Sequence, residues 1–197
     1  MQTQIIRDTQ RDSWNKFSPG WKKWDLFTMD FLESQGKEII KALQLDPHDQ
    51  VLDIASGTGE PGLTIAGILT GGTVTAVDLS EGMLRIAQEK AEYQGLQNFN
   101  TLVADACELP FADHSFDAIS CRLGFMFFPD MLVAAKEMLR VLKPGGRLAT
   151  TVWGEPAKNV WITAIMGAIK RNIDLPTPPP DAPGMFRCAQ PGALSTL

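Results

Sequence analysis

The sequence predicts an α/β fold: a doubly wound, Rossmann-like, mostly parallel sheet in the order 3-2-1-4-5, with helices in front of it. Two features predict it. Apolar runs at 51–54, 73–77, 99–104, 116–121 and 147–152 alternate with helical stretches, the pattern of parallel strands joined by crossover helices. Between the first run and its helix stands a glycine turn, within Val51-Leu-Asp-Ile-Ala-Ser-Gly-Thr-Gly-Glu-Pro-Gly62. Such a turn leaves backbone N–H groups facing a ligand at a helix N-terminus. Right-handed crossovers set the strand order and place a ligand cleft beyond the strands' carboxyl ends, between strands one and four.

Residues 5–44 read as helical and rich in rings, with Trp14, Phe17, Trp21, Trp24, Phe27 and Phe31. Ser18-Pro19-Gly20 is expected to break this stretch into two helices. The rings serve either to pack these helices on the sheet or to close over a bound cofactor. Pro61 suits the first turn of the helix after the glycine turn, because its missing N–H is unpaired there anyway. Gly71-Gly72 ends that helix. The run 73–77 is β-branched and apolar, as buried parallel strands are. Ser80 caps a helix from 81 to about 94, which Gly95 closes. A turn-rich loop at 108–115 precedes the fourth strand. The next helix, 129–142, stops at Pro144-Gly145-Gly146, ahead of the fifth strand. A helix at 157–173, a proline-rich extended connector at 175–183 and the start of a last helix at 190–197 complete the reading. The chain thus divides into an N-terminal helical lid or cap (1–45), a cofactor-binding domain (46–155) and a helix with a proline-rich extension (156–197).

The chain has 197 residues, 44% of them hydrophobic and 21% charged, with a net charge of −5. That suits one domain with a sizeable core, and gives no broad electrostatic grip on nucleic acid. The three cysteines, Cys107, Cys121 and Cys188, are odd in number and unpatterned. They fit a reducing cytoplasm and neither a disulfide framework nor a metal site. No signal peptide or membrane-spanning run is evident.

Gly57, Gly59 and Gly62 match the dinucleotide pattern G-x-G-x-x-G, which alone is weak. Asp53 stands four residues before Gly57. A carboxylate there suits a cationic cofactor better than a pyrophosphate, and S-adenosylmethionine carries a sulfonium and an ammonium and no phosphate. A helix cap or an ion pair also explains Asp53. Asp78 ends the second strand at the spacing of an acid that accepts from both ribose hydroxyls. Leu79 and Met83 follow it and suit the faces of an adenine. Arg122 suits a carboxylate, whether the cofactor's methionine end, a substrate acid or a neighbouring side chain.

These stretches resemble the motifs of the class I S-adenosylmethionine-dependent methyltransferases, over roughly residues 45–155. The similarity is closest to the small-molecule branch that includes the ubiquinone and menaquinone C-methyltransferases. The glycine turn matches the first motif, with Ala55 where many members have glycine. Val103-Ala-Asp-Ala106 resembles the adenine-side motif, Phe116-Asp-Ala-Ile-Ser-Cys-Arg122 the fourth strand, and Leu142-Lys-Pro-Gly-Gly-Arg-Leu148 the turn into the fifth. The resemblance implies S-adenosylmethionine, and its product S-adenosylhomocysteine, bound by Ala55, Ser56, Gly57, Thr58 and Gly59, with Asp53 beside them. It implies Asp78 at the ribose, Asp105 and the Ala106 N–H at the adenine, and Cys121 with Arg122 at the end of strand four. A small-molecule acceptor would take the methyl group by direct displacement.

No catalytic base stands out among His48, His114 and Tyr93. Displacement at a sulfonium draws most of its acceleration from positioning and desolvation, so none is required. Family sheets have seven strands, and only residues 153–197 follow the fifth here. The expectation is that the last two strands are missing and that the fifth is an open edge. Such an edge favours a homodimer or other self-association. Two other functions stay open. One is a non-catalytic cofactor-binding or partner subunit. The other is an NAD(P)-dependent reductase, which lacks its usual Tyr-x-x-x-Lys pair here, since Tyr93 leads to Leu96 and Gln97.

Overall fold

The computed structural model describes residues 2–174, 179 and 182–195. Two helices lead: α1 (Gln2–Lys23) and α2 (Asp25–Leu43). Strands and helices then alternate as β1 (Gln50–Ile54), α3 (Gly62–Ile68), β2 (Thr73–Asp78), α4 (Glu81–Tyr93) and β3 (Phe99–Val103). They continue as β4 (Phe116–Arg122), α5 (Met131–Val141), β5 (Leu142–Thr151) and α6 (Val160–Asn172). All pairings are parallel and the order is β3-β2-β1-β4-β5, as expected from right-handed crossovers.

Both sheet faces are covered. Leu52, Ile54 and Ile119 pack under Ala134, Met138 and Val141 of α5. Val51, Val74 and Ala76 pack under α2, α3 and α4 through Ile39, Leu43, Ile65 and Ala87. Each large side chain taken fully from water contributes about 1.5–3 kcal/mol, so the two-sided burial of β1 explains its near-continuous apolar sequence.

Three expectations about elements are corrected. Helix α1 runs through Ser18-Pro19-Gly20 without a break. A helical proline orphans the carbonyl four residues back, which is that of Asn15. The Ser18 hydroxyl donates to that oxygen at 2.9 Å and offsets the loss. The break falls at Trp24 instead. The fifth strand begins at Leu142, five residues early. Leu142 pairs with Phe116 and Arg147 with Ala118, so the residues between bulge out. Finally, residues 190–195 form turns rather than a helix. Most of the 175–183 connector lies outside the described residues.

Candidate functional site: a cofactor cleft at the strand ends

The carboxyl ends of β1, β2 and β4 open into a cavity of about 560 Å³, roofed by α1 and α2. It sits where the strand order reverses, the place for ligands in doubly wound sheets. Its floor is the turn after β1. Gly57 and Gly59 have φ of 54° and 105°, which glycine adopts without cost. Ala55 adopts φ 52° as well. A side chain there is strained, and a glycine, which the resemblance expects at this place, would relieve it.

Among the residues expected at the site, Ala55, Ser56, Gly57, Thr58, Asp78, Leu79, Met83, Asp105, Ala106 and Arg122 line this one cavity. Asp78 accepts from Gly57 N at 3.0 Å and Ser80 N at 2.8 Å. One carboxylate therefore ties the glycine turn to the cap of α4. Burial pushes its pKa up, against those backbone N–H bonds. Asp105 accepts from Cys107 N at 2.9 Å and meets the Arg7 guanidinium of α1 in an ion pair.

Asp53, Gly59 and Cys121 do not line the cavity. The Asp53 side chain is fully buried beneath the turn, where it accepts from Gly62 N at 3.1 Å and Ser120 Oγ at 2.6 Å. A Cβ on Gly62 would come within 2.7 Å of its Oδ2. Gly59 makes room in the same way for Leu63 and Ala87. Cys121 is buried, and burial pushes its thiol up to about 12, so it is no nucleophile at neutral pH. Arg122 donates to Met29 Sδ at 3.3 Å. Burial lowers its pKa, opposed by Asp53, Glu60 and Asp25.

Sequence reasoning missed several cavity residues. Glu60 lines it and caps α3 by accepting from Thr64 N and Oγ. Phe127, Trp153 and Trp161 line it too. The signal for the last two was two tryptophans just past the carboxyl end of the fifth strand. His48, His114 and Tyr93 lie outside the lining, and Tyr93 is on the surface. Of the N-terminal rings, Trp14, Phe17, Trp21 and Phe31 face the cavity, whereas Trp24 and Phe27 are exposed and do not.

Three of the polar contacts that hold α1 and α2 in place reach the site; a further one, Lys22 to Glu89, ties α1 to α4 away from it. Asn15 Oδ1 accepts from Ser80 Oγ at 2.7 Å and Gly82 N at 2.9 Å. Asp25 accepts from Thr58 Oγ1 at 3.1 Å and Lys90 Nζ at 3.0 Å. Arg7 on Asp105 is the third. Each of the three reaches the glycine turn, the start of α4 or the loop after β3.

A glycine turn, a strand-end acid and a switch-point cleft define a nucleoside-cofactor domain of the doubly wound class. Residues 52–150 match the model of the methyltransferase domain family, and the chain belongs to that family, among the class I S-adenosylmethionine-dependent methyltransferases. It is 37% identical over 126 residues to a demethylmenaquinone methyltransferase of Listeria welshimeri, covering 64% of this chain and 53% of that protein. The chain therefore spans about half the length of the curated relatives it matches. A SAM-dependent methyltransferase from Aquifex aeolicus is similar in structure, with 25% identity, a TM-score of 0.56 and coverage of 69% of this chain and 77% of that one. The [4+2]-cyclase SpnF is similar as well, with 30% identity, a TM-score of 0.57 and coverage of 59% and 43%. Among the described residues no helix is long and apolar enough to cross a membrane, and no three metal-ligating side chains cluster.

Proposed function

We propose that this chain binds S-adenosylmethionine in the strand-end cavity and transfers its methyl group to a small-molecule acceptor. The observation that carries the reading is the gathering of the glycine turn, Asp78, Asp105 and Arg122 around one cavity. The residues fit the cofactor. Asp78 has lone pairs left for two ribose hydroxyls. Asp105 and the Ala106 N–H offer an acceptor and a donor to an adenine edge. Arg122 donates to a thioether, has no side-chain oxygen within hydrogen-bond distance among the described residues, and carries a guanidinium fork suited to the methionine carboxylate. Glu60 lines the cavity where Asp53 does not, and is the carboxylate on the glycine turn that would face the cofactor's cationic end. The bound cofactor supplies an electrophilic methyl group on sulfur. The protein's residues orient it, and α1 and α2 exclude water.

Calorimetry should show S-adenosylhomocysteine binding with one site per chain, and a methyl-transfer screen on the same sample should find turnover. Binding without turnover across a broad panel would favour the non-catalytic subunit, and absence of binding would end the reading altogether.

We propose that α1 and α2 act as a lid tied down by the three anchors. S-adenosylhomocysteine should slow proteolysis within residues 2–43, and Asp25→Ala should speed it in the free protein. Equal cleavage rates in all samples would leave these helices a packing role only.

We further propose a homodimer or other self-association through β5, which the strand order leaves at a sheet edge. Unpaired edge groups are satisfied by another chain or a cover. Sedimentation should show a dimer or larger species at micromolar protein. A monomer there would refute it.

A further inference from the structure

The two lid helices cover different ends of the cavity. Helix α2 lies over the end that holds Arg122, since Arg122 donates to Met29 Sδ at 3.3 Å and Asp25 accepts from Thr58 Oγ1 at 3.1 Å. Helix α1 lies over the other end. Arg7 pairs with Asp105 in the loop after β3, and Asn15 Oδ1 accepts from Gly82 N at the start of α4. On the reading above, that end takes the adenine, beside Asp105 and Ala106. Gln10 stands on α1 between these two contacts and lines the cavity. Arg7, Gln10 and Trp14 follow one another at three- and four-residue spacing, so they share one helix face.

The orientation of the Gln10 amide follows from its partner. Trp14 Nε1 lies 3.1 Å from Gln10 Oε1. An indole N–H can only donate, so the amide oxygen is the end that faces it. The NH2 end is left over, and among the described residues Gln10 Nε2 makes no hydrogen bond. Trp14 is held in turn. It packs on Phe127 with centroids 5.3 Å apart and planes at 82°, and on Trp21 at 6.1 Å. Contacts of this kind fix a ring's orientation. Gln10 therefore brings an oriented donor to the cavity before any ligand arrives, which lowers the cost of using it. A half-buried donor left unpaired costs free energy. Adenine supplies the missing partner, because its edges carry ring nitrogens that accept as well as the amino group that donates. Asp105 meets the amino group and the Ala106 N–H one ring nitrogen, and Gln10 matches another.

We propose that Gln10 is a cofactor-binding residue whose Nε2–H donates to a ring nitrogen of the adenine, so that the lid helix α1 reads the base as well as covering it. This rests on the reading that S-adenosylmethionine occupies the cavity. Gln10 makes and breaks no covalent bond. It adds one neutral hydrogen bond, and with it selectivity for the base, when α1 is in place. A bond of that kind is worth about three- to tenfold in affinity.

The test is calorimetry of wild type and Gln10→Met with S-adenosylhomocysteine and its 1-deaza, 3-deaza and 7-deaza analogues, in each of which a C–H replaces one ring nitrogen. Methionine keeps the length of the side chain and lacks the donor. Gln10→Met should weaken S-adenosylhomocysteine about three- to tenfold. In wild type, the analogue without the matched nitrogen should bind more weakly by a similar factor. In Gln10→Met that factor should fall to about one, because the same bond is not lost twice. Gln10→Glu keeps an oxygen for Trp14 Nε1 and loses the donor, so it should abolish the same ratio, and it carries the test if the methionine variant misfolds. A loss from packing alone would weaken all four ligands equally and leave every wild-type ratio intact. That result would overturn the proposal, as would unchanged S-adenosylhomocysteine affinity in both variants, or a wild type to which every analogue binds as tightly as S-adenosylhomocysteine. In each of these cases the cofactor still binds, and only the role of Gln10 falls. If wild type fails to bind S-adenosylhomocysteine at all, the methyl-transfer reading falls and takes this one with it.

Discussion

Asp78→Ala is expected to weaken S-adenosylhomocysteine binding by about 1.5–3 kcal/mol, the worth of hydrogen bonds to a charged group. That is about ten- to two-hundred-fold in affinity. The expectation has two sources. On the proposed reading the carboxylate accepts from the ribose hydroxyls, and in the structure it accepts from Gly57 N and Ser80 N. Alanine removes the ribose contact and unties the glycine turn from the cap of α4 together. The two effects separate by ligand. A ribose-deoxygenated analogue loses the first contact already, so its penalty in Asp78→Ala should be smaller and reports the turn alone. Asp78→Asn keeps one carbonyl acceptor and places an N–H2 against a backbone N–H, so it should fall between wild type and alanine. Unchanged affinity of the natural product analogue in Asp78→Ala would remove Asp78 from the site.

The strand order was legible because apolar runs mark the strands and right-handed crossovers leave one order for them. The helix break was not. Pro19 is a strong local signal, but its cost is offset by one hydroxyl, that of Ser18, and a proline pattern alone does not say where a neighbouring side chain donates. The acids at the strand ends were legible as residues, whereas the direction each one faces was not. Asp53 and Asp78 both fall at the ends of strands, yet Asp53 is covered by the α3 N-terminus and Asp78 opens to the cavity. Gly62 held the missing signal. A glycine in the first turn of a helix, nine residues after the acid, leaves space for the carboxylate that the turn then covers. The aromatic lining was legible in part. Trp14 and Trp21 are seven apart and share a helix face, but their meeting with Phe127 is a long-range contact that no local pattern encodes.

Asp53→Asn is expected to stabilise the protein at pH 8 relative to its effect at pH 5. Burial raises the Asp53 pKa from 3.8 to about 7, against the hydrogen bond from Ser120, the charge of Arg122 and the Gly62 N–H. In the unfolded chain the group ionises near its ordinary value. Between about pH 4 and 7 the native state holds a proton that the unfolded state has released, so the stability from this group falls as pH rises. A raised carboxyl pKa thus acts oppositely to the depressed one of a salt-bridged aspartate. The contribution is fully present below the unfolded pKa and is gone above the folded one. Three units at about 1.4 kcal/mol each give roughly 4 kcal/mol across that window. Asn does not titrate, and its amide oxygen can still accept from Gly62 N, while Ser120 Oγ can turn to suit. Urea unfolding of wild type and Asp53→Asn at pH 5 and pH 8 measures the difference. More than a unit of that window already lies below pH 5, so the variant should gain on wild type by about 2–3 kcal/mol between the two pH values. A gap between the two proteins that is the same at both pH values would show that Asp53 is ionised in the native state throughout, held by Arg122 and the α3 N-terminus more strongly than burial opposes it.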